Sequence, residues 1–210
     1  LGAQDTLKVS DQIQKHDWKG KRRILPLKEL RLTSLRLTDI HNSLSKIIDF
    51  NKLLKLDLVE CIGSFEFLSD LTGAKPNVHF DLTHVALNDF EAEDAITDPE
   101  GESNICLNNF LRACPDLRSL HFGHTSLYSL PPALKQHLKS RGRELKFLSL
   151  YSEAAQIDLT DFDLICNSCP NLEQLSAGLD EEFFLTDMGC GNLEEFVVSC
   201  INSPTNRPRY

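Results

Sequence analysis

Cysteine and histidine, seven of each among 210 residues, are the side chains best equipped for chemistry here, and their spacing decides what that chemistry could be. Cys166 and Cys169 form a lone C-x-x-C. Zinc binding needs a second ligand pair and redox chemistry needs a strand-to-helix setting. Neither accompanies these cysteines. Pro170 directly follows Cys169, so the pair sits where a helix must stop and a cysteine packs as a small hydrophobe. His121 and His124 flank Phe122 and Gly123 with no third ligand nearby, so neither a metal site nor any cofactor is expected. Residues 89–102, DFEAEDAITDPEGE, hold seven acidic residues and no basic ones. They could clamp a cation or a basic peptide, but they lack the D-x-D-x-D-G alternation of a calcium loop and are expected to form a solvated insertion. No G-x-S-x-G, no phosphate-cradling glycine loop and no convincing Ser, His, Asp set is present, so an enzyme is not expected.

Charge and composition narrow the partners. The formal net charge is -9, from 22 Lys plus Arg against 31 Asp plus Glu, which supplies no general pull toward a phosphate backbone, so nucleic acid is disfavoured. No run approaches the roughly 18 apolar residues of a membrane span, and LGAQDTLKVSDQ has no signal-peptide core, so no membrane partner is expected. The sequence starts at Leu1 rather than Met, and the expectation is a fragment or processed product. An odd number of cysteines set among apolar neighbours, with no N-x-[ST] acceptor, favours a cytoplasmic or nuclear location where thiols stay reduced.

The elements that must position any site are announced by a recurring LxxLxL pattern: LKELRL from Leu27, LLKLDL from Leu53, LRSLHF from Leu117, LKFLSL from Leu145 and LEQLSA from Leu172, with weaker units NVHFDL at Asn77 and LEEFVV at Leu193. The steps are 26, 24, 40, 28, 27 and 21 residues, and the step of 40 marks an insertion at the acidic loop. Between these units lie helical signals: Leu44, Ile47 and Ile48; Phe65, Leu68 and Leu71; Ile105, Phe110 and Leu111; Phe162, Ile165 and Cys166. Pro131 and Pro132 start a helix through ALKQHLKSRG, with Gly142 just past its end. Its Lys135, Lys139, Arg141 and Arg143 are expected on an outer, convex face.

Alternating strand and helix at a period of 20–29 residues predicts an α/β leucine-rich repeat solenoid, a right-handed α/β horseshoe of about seven irregular repeats with a parallel concave sheet. The predicted organisation is a cap or linker remnant at 1–24, which carries KGKRR at 19–23; a repeat domain at 25–202 containing the acidic insertion; and a disordered tail at 203–210.

Two units open on nearly the same phrase, CPDLRSL from Cys114 and CPNLEQL from Cys169, and LLKLDLVEC ends in Cys61. This resembles the cysteine-containing leucine-rich repeats of F-box substrate receptors of ubiquitin ligases. The resemblance covers roughly residues 27–200. It implies a substrate-recognition module, with Skp and cullin subunits engaged through a segment upstream of Leu1. ILPLKEL at Ile24 superficially resembles an F-box opening, but RLTSLRLTDI after it alternates like a strand and reads as the first repeat. The alternative is a scaffold or regulator, GTPase- or nuclear-transport-associated, with no ligase link.

With a side-chain period of two, alternate strand residues face outward on the concave surface. The expected set is Glu29, Arg31 and Thr33; Lys55, Asp57 and Val59; His79, Asp81 and Thr83; Ser119, His121 and Gly123; Phe147, Ser149 and Tyr151; Gln174 and Ser176; Glu195 and Val197. The partner-binding candidates are Phe147, Tyr151, His121, Asp81, Asp57, Arg31 and Gln174, with Phe147 and Tyr151 as aromatic anchors for a protein or peptide. A register slip of one residue would instead bury both aromatics.

Overall fold

A computed structural model describes residues 25–44, 46–73, 78–89, 100–124, 129–151 and 157–178. Six parallel strands form one sheet in sequential order: β1 (Glu29–Thr33), β2 (Lys55–Val59), β3 (His84–Asp89), β4 (Ser119–His124), β5 (Phe147–Tyr151) and β6 (Gln174–Ala177). Between them run α1 (His41–Leu44), α2 (Ser64–Thr72), α3 (Glu102–Arg112), α4 (Pro132–Arg141) and α5 (Leu159–Ser168). Sequential parallel strands require a crossover at every step. Each helix from α2 to α5 packs on the next, so the helices make a second layer behind the sheet.

The sequence writes this order into one repeated device. The Lys28 carbonyl accepts hydrogen bonds from both Leu54 and Lys55 N–H; Leu54 does the same for Thr83 and His84, Thr83 for Arg118 and Ser119, Arg118 for Lys146 and Phe147, and Lys146 for Glu173 and Gln174. Every unit is thus stapled to the one before it at the same position. The leucines that follow alternate inward: Leu56, Val85, Leu120, Leu148 and Leu175 make one buried row, and Leu58, Leu87, Phe122, Leu150 and Ala177 the next. Phe67, Phe110 and Phe162 project from the helices into the same core. Apolar burial of this kind is worth roughly 25 cal/mol per Å² and supplies the main stabilisation.

The helix layer is also pinned by two buried polar side chains. Asn104 in α3 accepts from the Ala133 N–H at 2.8 Å, and Asp161 in α5 accepts from the Leu130 N–H at 2.7 Å. The units before and after therefore both hold the entrance to α4. Asp161 also lies 2.7 Å from Lys135 Nζ, and Asp158 caps α5 by accepting from the Asp161 N–H. Lys135 is consequently a partner of a buried carboxylate, not simply an outer-face charge.

Several expectations need correcting. The third unit is LTHVAL from Leu82, not NVHFDL from Asn77, so starts at 27, 53, 82, 117, 145 and 172 give steps of 26, 29, 35, 28 and 27 residues. Val85 and Leu87 occupy the inward positions that leucines hold elsewhere. The step of 40 becomes 35. Ile105 is exposed, and Cys106 and Leu107 face the core in its place. Gly142 lies just past the helix that ends at Arg141, as expected, and with φ of -55° it continues into a 3-10 turn over Gly142–Glu144. Its role is close approach: a Cβ there would meet the Ser168 carbonyl oxygen at 2.6 Å and Cys169 Sγ at 2.8 Å. Of the acidic segment, Asp89 closes β3 and Glu102 opens α3. Residues 90–99, the unit at Leu193 with Glu195 and Val197, the segment 1–24 and the tail 203–210 lie outside the described residues.

Candidate binding face

One face of the sheet is covered by the helices, and the other lines an open groove of about 590 Å³. Strand register sets the outward residues in lateral rows. Glu29, Lys55, His84, Ser119, Phe147 and Gln174 form the first; Arg31, Asp57, Ala86, His121, Ser149 and Ser176 the second; Thr33, Val59, Asn88, Gly123 and Tyr151 the third.

Arg31, Asp57, His121, Phe147 and Gln174, five of the seven binding candidates, line the groove together. Phe147 is 41% exposed and Tyr151 is half-buried at the end of β5, so no register slip buries the two aromatics. Asp81 is not on this face. It precedes β3, is exposed, and donates its N–H to the Asn51 carbonyl; His79 and Thr83, expected beside it, also lie outside the strand. His84, Ala86 and Asn88 stand in their place. The missed signal was the step length, since LTHVAL brings both steps around it closer to the others.

The polar geometry divides along the groove. Asp57 is 6% exposed and lies 3.3 Å from Lys55 Nζ. Its Oδ1 is buried and stands 3.4 Å from His84 Nε2, a contact too weak to satisfy it fully. Burial, followed by the charge of Lys55, lowers the pKa of His84. His121 is also lowered, first by burial and then by His84, with Asp57 opposing. In both rings burial therefore favours the neutral form. His121 Nδ1 meets Ser149 Oγ at 2.8 Å. Behind Asn88, a Cβ on Gly123 would stand 2.2 Å from Asn88 Oδ1, so the carboxamide lies where only glycine leaves room. That oxygen is also buried, with no donor.

Cys169 is buried and its thiol pKa is pushed up to about 12 by desolvation; Cys114 is raised by the same cause. A thiol held protonated is neither a ready nucleophile nor a ready metal ligand. Among the described residues, no three His, Cys, Asp or Glu side chains are placed to hold a metal ion, and no helix is long and apolar enough to cross a membrane.

Comparison with known proteins finds no matching family model, no matching curated protein and no matching solved structure.

Proposed function

We propose that the chain is a protein-interaction module of the leucine-rich repeat type whose open sheet face holds a protein or peptide segment. The carbonyl device repeated from Lys28 to Lys146 and the inward leucine rows support a repeat solenoid. The observation that carries the binding role is Phe147, a large apolar side chain 41% exposed on the open side of a parallel sheet, in a groove with Arg31, Asp57, His121 and Gln174. Parallel sheets are ordinarily covered on both faces, so one open face with an aromatic on it has the character of an interface. Replacing Phe147 and Tyr151 together by Ala is expected to leave the melting temperature within about 3 °C and to abolish partner capture. Capture that survives both changes overturns the binding role of this face.

The narrower proposal is that this module is the substrate-recognition region of an F-box-like ubiquitin-ligase receptor, in cytoplasm or nucleus. Its support is the pair of phrases CPDLRSL and CPNLEQL. In the fold, Cys114 and Cys169 are buried where helix gives way to strand. The test is whether the native gene product carrying this chain co-purifies with Skp and cullin subunits. If it does not, the ligase link falls and a scaffold role remains.

A further inference from the structure

The charges on the open face nearly cancel, although the whole chain carries -9. Among the described residues they are confined to β1 and β2: Glu29 and Asp57 against Arg31 and Lys55. Asp57 and Lys55 are already paired at 3.3 Å. On β4, β5 and β6 the outward residues carry no fixed charge, and burial favours the uncharged form of the two groove histidines. Such a surface has no field with which to select an acidic or a basic partner.

What it has instead suits a peptide backbone. Ser119, Ser149 and Gln174 line the groove with side chains that both donate and accept, which matches the alternating N–H and C=O of an extended chain. Two acceptors flank the small Ala86 at the centre of the sheet: Asn88 Oδ1, buried with no donor, and Asp57 Oδ1, buried with only the long 3.4 Å contact to His84 Nε2. Turned outward by a rotamer change, each of these oxygens can accept from an N–H group of an occupant. At the other end Phe147 presents an uncovered ring. The six strands among the described residues, about 4.8 Å apart, span about 24 Å, the length of about seven extended residues.

We infer that the occupant of this face is an extended, electrically neutral polypeptide segment of about seven residues, with one aromatic or branched apolar side chain against Phe147 and its backbone amides over Ala86, toward Asp57 and Asn88. The inference rests on the peptide-binding role proposed above and adds the chemistry of the partner.

The test is a display library of random peptides of about 12 residues, panned on the full chain and counter-selected on Phe147→Asp. Phe147→Ser, a neutral change at the same exposed site, serves where the aspartate disturbs folding. Enriched sequences are expected to have net charge near zero and a shared aromatic or branched apolar residue. The affinity of a synthetic copy should change by about twofold or less between about 50 and about 500 mM NaCl. It should fall at least about tenfold in Phe147→Ser and in Ala86→Leu, which fills the space over the central strand. Acidic or basic consensus peptides with steep salt dependence overturn the neutral-segment inference and leave peptide binding standing. Unchanged affinity in Ala86→Leu overturns the placement of the backbone amides. No enrichment that depends on Phe147 overturns the peptide-binding role itself, and this inference with it.

Discussion

The two faces of the sheet follow opposite rules within the same strands. Inward, the positions at Leu56, Val85, Leu120, Leu148 and Leu175 carry aliphatic residues at 3% exposure or less. Outward, the adjoining row holds Arg, Asp, Ala, His and two Ser residues, with no chemical type shared along the row. Fold information is therefore concentrated on one side. Because the helix side and the carbonyl staples already fix each unit on its neighbour, the open side is free to vary and to carry function.

The sharpest way to break this contrast is to make the same chemical change on both sides. Phe122→Ala empties a buried position and is expected to cost about 3–5 kcal/mol. Phe147→Ala, on the next strand and facing outward, should stay within about 0.5 kcal/mol of wild type. Urea unfolding measures both. Similar losses at the two sites would mean the open face is as structural as the closed one.

Acid should separate the layers next. His137 in α4 is buried, its Nε2 has no partner, and burial followed by Arg141 lowers its pKa to about 4. A folded-state pKa below the unfolded value means the unfolded chain binds the proton more readily. The stability is fully present above about pH 6.5 and is lost as pH falls toward 4, by on the order of 3 kcal/mol. His137→Gln should remove that part of the pH dependence, measured as the difference between the two proteins' unfolding free energies at neutral and acid pH. Parallel curves for the two proteins would show that His137 is not the titrating group.

How much of this was legible from residues alone follows the same division. Leucines at 27, 53, 117, 145 and 172 announced five of the six units among the described residues, because inward positions repeat a chemical type that periodicity can detect. The third unit was misplaced by five residues, since Val85 breaks the leucine signature and Phe80 and Leu82 offer a competing pattern just upstream. That one shift cost His84, Ala86 and Asn88 and wrongly enrolled Asp81. The contact between His121 and Ser149, 28 residues apart, depends on strand register and could not be seen before the sheet was assembled. Ile105 was misjudged for another reason: α3 turns Cys106 and Leu107 inward, and helical phase is hard to fix from a few apolar residues.

A smaller effect is expected where the open face carries its own ion pair. Lys55→Met leaves Asp57 buried without its ammonium partner. Lys55 is 38% exposed at the side chain, so solvent screens the pair and the loss should be about 1 kcal/mol. The charge of Lys55 also lowers the pKa of His84, so in this variant NMR titration should find His84 shifted upward. An unmoved His84 would show that the pair does not reach the third strand. Adding Asp57→Asn should recover most of the stability by removing the stranded charge.

The smallest change tests whether any outward position is structurally constrained. Gly123 has an ordinary φ, so nothing in its backbone demands glycine. The obstacle to Gly123→Ala is the carboxamide of Asn88, whose Oδ1 occupies the place of the new methyl at 2.2 Å. That oxygen is the far end of a rotatable side chain and is buried without a donor, so swinging outward costs a rotamer change but returns the acceptor to water. These terms oppose each other, and the net loss should be about 1 kcal/mol or less. Asn88→Ala should make the Gly123 substitution nearly neutral in a double-mutant cycle, because the atoms closer than ordinary contact belong to the Asn88 carboxamide. A loss above about 2 kcal/mol that persists in the Asn88→Ala background would place the constraint in the backbone of β4. It would also mean that, at this row, the open face shares the rigidity of the buried one.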